Sequence, residues 1–137
     1  MAKDYFHGTV QDVLLNEGFA ITHDPYVMRK YDPQWELDFG AEKVIAAESG
    51  FLKIAVEVKS YFEDSFAHAF HGILGQYLNY RLALNMVEPD RKMLLAVPED
   101  IYLSEFSRQG IRNSIHFYDV RLIVYNPIDK TVLRWGL

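Results

Sequence analysis

A short predicted strand in the middle of the chain constrains the fold most. Its apolar residues are Ile54, Val56 and Val58, and they alternate with Glu57 and Lys59. Because successive side chains of a strand point to opposite faces, the aliphatic residues face a core while Glu57 and Lys59 share the other face. The pattern therefore predicts a strand in a layered fold that carries an acid and a base side by side.

The segments around this strand predict an α/β protein with a mixed sheet. The run 93–97 is apolar throughout, which is typical of a strand buried on both faces. Gly40 and residues 49–50 are predicted turns. This order of elements is typical of a mixed central β-sheet flanked by α-helices, in one domain spanning residues 1–137. The predicted helices cover 4–17 and 64–87 with another starting at Pro98, and the strands cover 35–39, 44–47, 52–59, 93–97, 121–125 and 131–135.

The composition limits the class of protein. The chain has 137 residues, of which 50% are apolar and 15% aromatic, as expected of one folded domain. It has no cysteine, which excludes disulfides, thiolate-bound zinc and a cysteine nucleophile. No segment is apolar for long enough to cross a bilayer or to form a signal peptide. We therefore expect a cytoplasmic protein with no membrane partner.

The charge is uneven along the chain. The net charge is −5, composed of −7 over residues 1–100 and +2 over residues 101–137. Because DNA affinity comes largely from neutralising phosphates, an acidic protein binds DNA poorly by itself. A divalent metal at a carboxylate cluster, or a basic partner protein, would offset this disadvantage.

The acidic residues near the strand are of the type that binds Mg²⁺ or Mn²⁺. Hydrolysis of a phosphodiester needs a hard cation, an activated water and stabilisation of charge on the phosphate oxygens. Asp38 and Glu57 are the candidate metal ligands, and the carbonyl of Val58 is a further one. Lys59 would orient or deprotonate the water and counter the developing charge. Glu48, on the strand between the two ligands, is a supporting candidate.

Simpler interpretations of these residues stay open. Glu57 and Lys59 also fit a solvated strand face with a weak ion pair. His68 and His71 lie three apart on the long predicted helix, where a polar, solvated helix face is the simpler interpretation, and the other histidines are scattered. Arg108 and Arg112, four apart in a later predicted helix, could contact a phosphate or an acidic partner, although a solvated surface is the simpler interpretation.

The order of these residues resembles the PD-(D/E)XK nuclease superfamily. Asp38 is followed by Glu57 and Lys59 in the Glu-x-Lys pattern, and then by Gln76 and Tyr80, four apart on the long predicted helix. The last pair resembles the Gln-x-x-x-Tyr motif of the RecB-like branch. There the Gln lies beside the catalytic Lys and the metal-bound water, so the resemblance implies a catalytic role for Gln76 and a supporting one for Tyr80. Leu37 replaces the Pro of the superfamily motif.

A narrower resemblance covers nearly the whole chain. Residues 1–7, 23–25, 40–48, 53–60 and 74–77, together with 95–98, are similar to the XisH family of cyanobacteria. Members are known as fdxN-element excision controlling factors, needed with a partner called XisI when a site-specific recombinase removes a DNA element. The resemblance implies a restriction-endonuclease-like core.

Two functions follow as expectations. The first is a Mg²⁺- or Mn²⁺-dependent DNA endonuclease acting in DNA rearrangement. The alternative is a non-catalytic accessory protein that binds DNA, a XisI-like partner, or both. Nucleases of this fold often pair to cut two strands, so a homodimer is expected.

Overall fold

The computed structural model describes residues 4–46, 50–61 and 65–136. Within these ranges the chain forms four α-helices and eight β-strands. The helices are α1 (His7–Asn16), α2 (Phe66–Val87), α3 (Glu99–Ser104) and α4 (Gln109–Phe117). The strands are β1 (Ala20–His23), β2 (Tyr26–Val27), β3 (Glu36–Leu37), β4 (Phe39–Ala46), β5 (Gly50–Val58), β6 (Lys92–Pro98), β7 (Leu122–Asn126) and β8 (Thr131–Trp135).

The described strands build one mixed sheet in the order β1-β4-β5-β6-β7-β8, with β2 and β3 paired separately. The β4–β5 and β7–β8 pairs are antiparallel, whereas β6 lies parallel to both β5 and β7. Parallel neighbours need crossover connections, and α2 supplies one while α3 and α4 supply the next. The predicted mixed sheet flanked by helices is confirmed. In the described part, no helix has the length and apolarity needed to cross a membrane.

The sheet separates two hydrophobic clusters in the described part of the chain. Ile54, Val56 and Val58 of β5 face the cluster that contains the buried residues of α1. Ala55 of the same strand faces the cluster that contains α2, α3 and α4. The alternation along β5 is therefore the predicted one, and Glu57 lies on the α2 face of the sheet.

The prediction of a turn at Gly40 was wrong. Strand β4 runs without interruption from Phe39 through Gly40, so the strand predicted over 44–47 begins earlier, and the one predicted over 35–39 is divided between β3 and the start of β4. Gly40 is required for a different reason. A Cβ atom on Gly40 would lie 2.8 Å from Nδ1 of His23 and 2.9 Å from Cδ2 of Tyr26, because β1 and β2 fold directly over it.

Gly40→Ala is therefore expected to destabilise the protein by about 1–3 kcal/mol, the usual cost of overpacking. Gly72 is the matched control, since it lies in α2 and a Cβ atom added there would have nothing within 4 Å. Gly72→Ala should stabilise by about 0.5–1 kcal/mol through helix propensity. Urea denaturation of both variants measures the difference, and equal stabilities would contradict the close approach at Gly40.

A buried arginine connects the end of α2 to the sheet. The side chain of Arg91 is 2% exposed, and its Nε donates to Oε1 of Glu88 at 2.8 Å while Nη2 donates to Oε2 at 3.2 Å. Nη2 also lies 3.3 Å from Oε2 of Glu42, and Nη1 donates to the carbonyl of Ile54 at 2.9 Å. Tyr26 donates its hydroxyl to Glu88 at 2.6 Å. We call Arg91, Glu88, Glu42 and Tyr26 the Arg91 network.

Candidate functional site

Asp38 and Glu57 meet where β5 ends. Asp38 lies between β3 and β4, and its Oδ2 accepts a hydrogen bond from the backbone N–H of Val58 at 2.7 Å. This bond holds the Asp38 carboxylate against the last residues of β5. Glu57, one residue before Val58, is hydrogen-bonded to Asp38 through its own carboxyl group. The sequence prediction placed these two acids together, and the fold does so by pairing β4 with β5.

Glu57 is an unusual carboxyl group because it is buried next to another acid. Only 8% of the residue is exposed. Burial, followed by the charge of Asp38 and the hydrogen bond to Asp38, raises the pKa of Glu57 to about 8, although the nearby Lys59 opposes the shift. In the absence of a cation, Glu57 is therefore largely protonated at neutral pH. A divalent cation would take the place of that proton.

Lys59 lies beside Glu57 on the same strand face. Its Nζ is 3.6 Å from Oε2 of Glu57, and its side chain is 29% exposed while that of Glu57 is 10% exposed. A solvated strand face does not describe this arrangement, since the acid is buried and the ammonium lies at the rim. The lysine side chain is partly exposed while its ammonium lies beside the carboxylate of Glu57.

Helix α2 contributes a polar pair to the same region. Nε2 of Gln76 donates to the hydroxyl of Tyr80 at 3.2 Å. The pKa of Tyr80 is raised mainly by burial, lowered in part by the bond to Gln76, and raised further by the charges of Glu57, Glu36 and Asp38. Tyr80 therefore lies within range of the charges of the carboxylates, and its hydroxyl accepts the hydrogen bond from Gln76.

An aromatic stack forms the wall next to Tyr80. The Trp35 ring lies 5.4 Å from the Tyr80 ring, and the Tyr31 ring lies 5.4 Å from Trp35 on the other side. Trp35 precedes β3, so the chain that positions Asp38 also supplies this wall. The stack keeps the Tyr80 side of the carboxylate pair partly apolar, which strengthens electrostatic interactions there.

His7 also contacts the site, although it was not among the residues predicted from the sequence. The residue is 5% exposed, its Nε2 is 3.0 Å from Oδ1 of Asp24, and its Nδ1 is 3.7 Å from Oδ1 of Asp38. Nδ1 is buried and has no hydrogen-bond partner among the described residues. The available signal was position, because His7 lies three and seven residues before Val10 and Leu14 on the buried face of α1.

The carboxylates of Asp38 and Glu57 fit a hard cation that takes only a few of its ligands from the protein. Mg²⁺ binds one or two carboxylates and completes its shell with water and substrate phosphate. Asp38 and Glu57 supply such a pair, and the Val58 carbonyl stays a predicted further ligand. Among the described residues no group of three or more His, Asp or Glu side chains could hold a metal ion. The predicted supporting residue Glu48 lies outside the described residues.

The similarity to known proteins covers nearly the whole chain. The family model described as XisH protein matches residues 1–133. The crystal structure of an XisH family protein from Nostoc punctiforme PCC 73102 has a TM-score of 0.84 and 34% identity, covering 96% of this chain and 98% of that one. An fdxN element excision controlling factor protein from Anabaena variabilis has a TM-score of 0.84 and 36% identity over the same shares. No curated protein matches the chain.

Proposed function

Because this chain belongs to the XisH family, we propose that it acts in the controlled excision of a DNA element and that it hydrolyses DNA in doing so. The observation that carries the proposal is the buried Glu57 beside the partly exposed Asp38, with Lys59 at the rim. A carboxylate pair with an adjacent ammonium matches the needs of metal-dependent phosphodiester hydrolysis. The arrangement resembles that of PD-(D/E)XK nucleases.

Each residue has a separate task in this mechanism. Asp38 and Glu57 would hold Mg²⁺ or Mn²⁺, which when bound supplies positive charge to the phosphate and acidifies a water. Lys59 orients or deprotonates the attacking water and stabilises negative charge on the phosphate oxygens. Gln76 positions the water beside Lys59, and Tyr80 fixes the amide of Gln76 by accepting its hydrogen bond.

Lys59→Ala is expected to lower Mg²⁺- or Mn²⁺-dependent nicking of supercoiled plasmid by at least about a hundredfold, as for loss of one charge-stabilising group. Lys53→Ala is the matched control, because Lys53 lies on the same strand with a side chain 32% exposed and pairs with Glu88 and Asp90 outside the site. The control should cut as the wild type does. EDTA should stop cleavage by the wild type and by Lys53→Ala. A Lys59→Ala protein that cuts at the wild-type rate would refute the catalytic role of Lys59.

A non-catalytic accessory role is a second candidate, and the charge and surface favour it. The net charge of −5 opposes binding of DNA by the chain alone. Residues 43–46 and 50–53 pair only with each other among the described strands, beyond the reach of β1 and β6. Val44, Ile45 and Phe51 on this hairpin are 62%, 57% and 58% exposed. Such apolar exposure suits contact with a XisI-like partner or with the recombinase system.

Mixing the chain with a XisI-like protein separates the two candidates. The accessory role requires a stable complex that binds DNA when the isolated chain does not, and it requires that Lys59→Ala leave this binding unchanged. The nuclease requires cleavage that depends on Lys59, with or without the partner. If the two proteins do not associate at micromolar concentration, the partner version of the accessory role fails.

A further inference from the structure

A large groove lies at the opposite edge of the sheet from β1. Its volume is 940 Å³, and its walls come from α3, α4, the start of β7 and the end of β8. The floor is apolar, with Phe106, Ile115 and Leu122 among its residues. None of the residues proposed for catalysis lines it.

The rim of the groove is rich in arginine. Arg112 and Arg134 are both exposed, and neither guanidinium has a carboxylate partner within the described part of the chain. Arg134 lies over the Tyr102 ring, 5.9 Å from its centroid. Arg121 is partly satisfied, because it lies 3.7 Å from Asp119 and donates to the carbonyl of Gly136 at 3.2 Å. The groove therefore presents two guanidinium groups that are free to bind an anion.

The groove is basic, whereas the rest of the chain is acidic. The residues that line it all lie beyond residue 100, where the net charge is +2, whereas residues 1–100 carry −7. The lining itself contains three arginines and one aspartate. The segregation of charge makes the groove the favourable place for a polyanion.

The groove also lies within reach of the proposed catalytic site. Glu57 is paired in register with Leu95, and Leu95 is paired in register with Leu122 on the groove floor. Neighbouring strands are about 4.8 Å apart, so Leu122 lies roughly 10 Å from Glu57 across the sheet. The straight line between them crosses the core under α2, where Leu95 is 2% exposed, so a strand that reached both sites would follow the surface around that core.

We propose that this groove binds a single strand of nucleic acid, with backbone phosphates on Arg112 and Arg134 and bases against the apolar floor and Tyr102. The inference rests on the proposed function, since it concerns the DNA on which that site would act. A volume of 940 Å³ is that of a site for a small ligand, so it holds a few nucleotides of one strand and not a duplex. Guanidinium groups beside apolar and aromatic surface are the chemistry of single-strand binding.

The test is anisotropy of a fluorescein-labelled single-stranded oligonucleotide, and of its duplex, titrated with full-length protein in EDTA. The Arg112→Ala/Arg134→Ala variant should bind the single strand about tenfold or more weakly than the wild type. Its log Kd against log salt should be shallower by about 1.4, since each phosphate contact on a single strand contributes about 0.7. Lys92→Ala/Arg108→Ala removes the same charge outside the groove and should leave affinity within about twofold.

The outcomes separate this inference from the proposed nuclease. Wild-type affinity and salt dependence in the groove variant would overturn the groove assignment, and so would tighter binding of duplex than of single strand. Binding of labelled poly-glutamate through the same arginines, without binding of the oligonucleotide, would overturn it in favour of an acidic protein segment. Loss of cleavage in Lys59→Ala bears on the nuclease alone, because Lys59 does not line the groove, whereas loss of oligonucleotide binding in the Arg112→Ala/Arg134→Ala variant bears on the groove.

Discussion

Glu57→Gln is expected to make the metal-free protein more stable than the wild type at pH 8 while abolishing the proposed cleavage. Folding raises the pKa of Glu57 from 4.5 to about 8, chiefly through burial and the charge of Asp38. The folded state therefore binds a proton that the unfolded state releases, and the stabilisation is complete below about pH 4.5 and lost as the pH rises through 8. A glutamine stays neutral at every pH and can still donate a hydrogen bond to Asp38.

The size of the effect follows from the shift in pKa. One pKa unit corresponds to about 1.4 kcal/mol, so a change from 4.5 to about 8 corresponds to about 4–5 kcal/mol between the two ends of the range. Melting temperatures in EDTA from pH 5 to pH 9 should fall for the wild type and stay flatter for Glu57→Gln. Glu36→Gln, the same change on β3, should follow the wild-type profile. Parallel profiles for Glu57→Gln and the wild type would contradict the buried pair.

The same variant tests the metal. At pH 8 a bound cation relieves the repulsion between Asp38 and Glu57, and a ligand at a hundred times its Kd stabilises a protein by about 2.7 kcal/mol. Mn²⁺ should therefore raise the melting temperature of the wild type in the absence of DNA. Glu57→Gln should not respond, because it has lost one of the two ligands. Equal shifts in both proteins would place the metal elsewhere.

Arg91→Met is expected to destabilise the protein by about 3–5 kcal/mol, the usual cost of breaking a buried ion pair by removing one partner. The substitution leaves Glu88 and Glu42 without their shared cation and the carbonyl of Ile54 without its donor. It also removes the guanidinium that lies 4.9 Å from the centroid of the Tyr26 ring. Chemical denaturation monitored by circular dichroism measures the loss.

Arg108→Met is the matched control for Arg91→Met. Arg108 also pairs with a glutamate three residues before it, at 3.0 Å from Glu105, but its side chain is 56% exposed. Exposed pairs contribute about 0–1 kcal/mol, so this variant should unfold nearly as the wild type does. A loss of stability at Arg91 no larger than that at Arg108 would show that the Arg91 network does not hold the fold.

The sequence predicted those parts of the fold that have strong local patterns. Strand β6, helix α2 and strand β8 were predicted correctly because the pattern of their apolar residues and the turn residues at their ends indicated the same boundaries. Strand β2 was missed, since two residues after a proline give no period. Gly40 was misread because glycine indicates a turn locally, whereas here the approach of distant residues requires it.

The candidate site was predictable as far as strand geometry determines it. Glu57 and Lys59 lie on the same side because they are two residues apart at the end of β5, and this follows from the sequence. Burial of Glu57 beside Asp38 depends on how β4 pairs with β5, which one sequence does not state. The contact of His7 with Asp38 depends on how α1 packs against the sheet, so only the fold revealed it.

The attachment of α2 to the sheet has a mechanical consequence. Glu88 is the C-cap residue of α2 and pairs with Arg91, so this contact attaches the C-terminal end of the helix to the sheet. Gln76 lies twelve residues before this anchor, or about 18 Å along the axis. A tilt of about 5° about Glu88 would move Gln76 by about 1.5 Å, and a misplacement of about 1 Å can cost a hundredfold in rate. The hydroxyl of Tyr77, next to Gln76, donates to the carbonyl of Met93 and accepts from the N–H of Arg121, so these bonds and the Arg91 network together hold the proposed water-positioning amide against such a tilt.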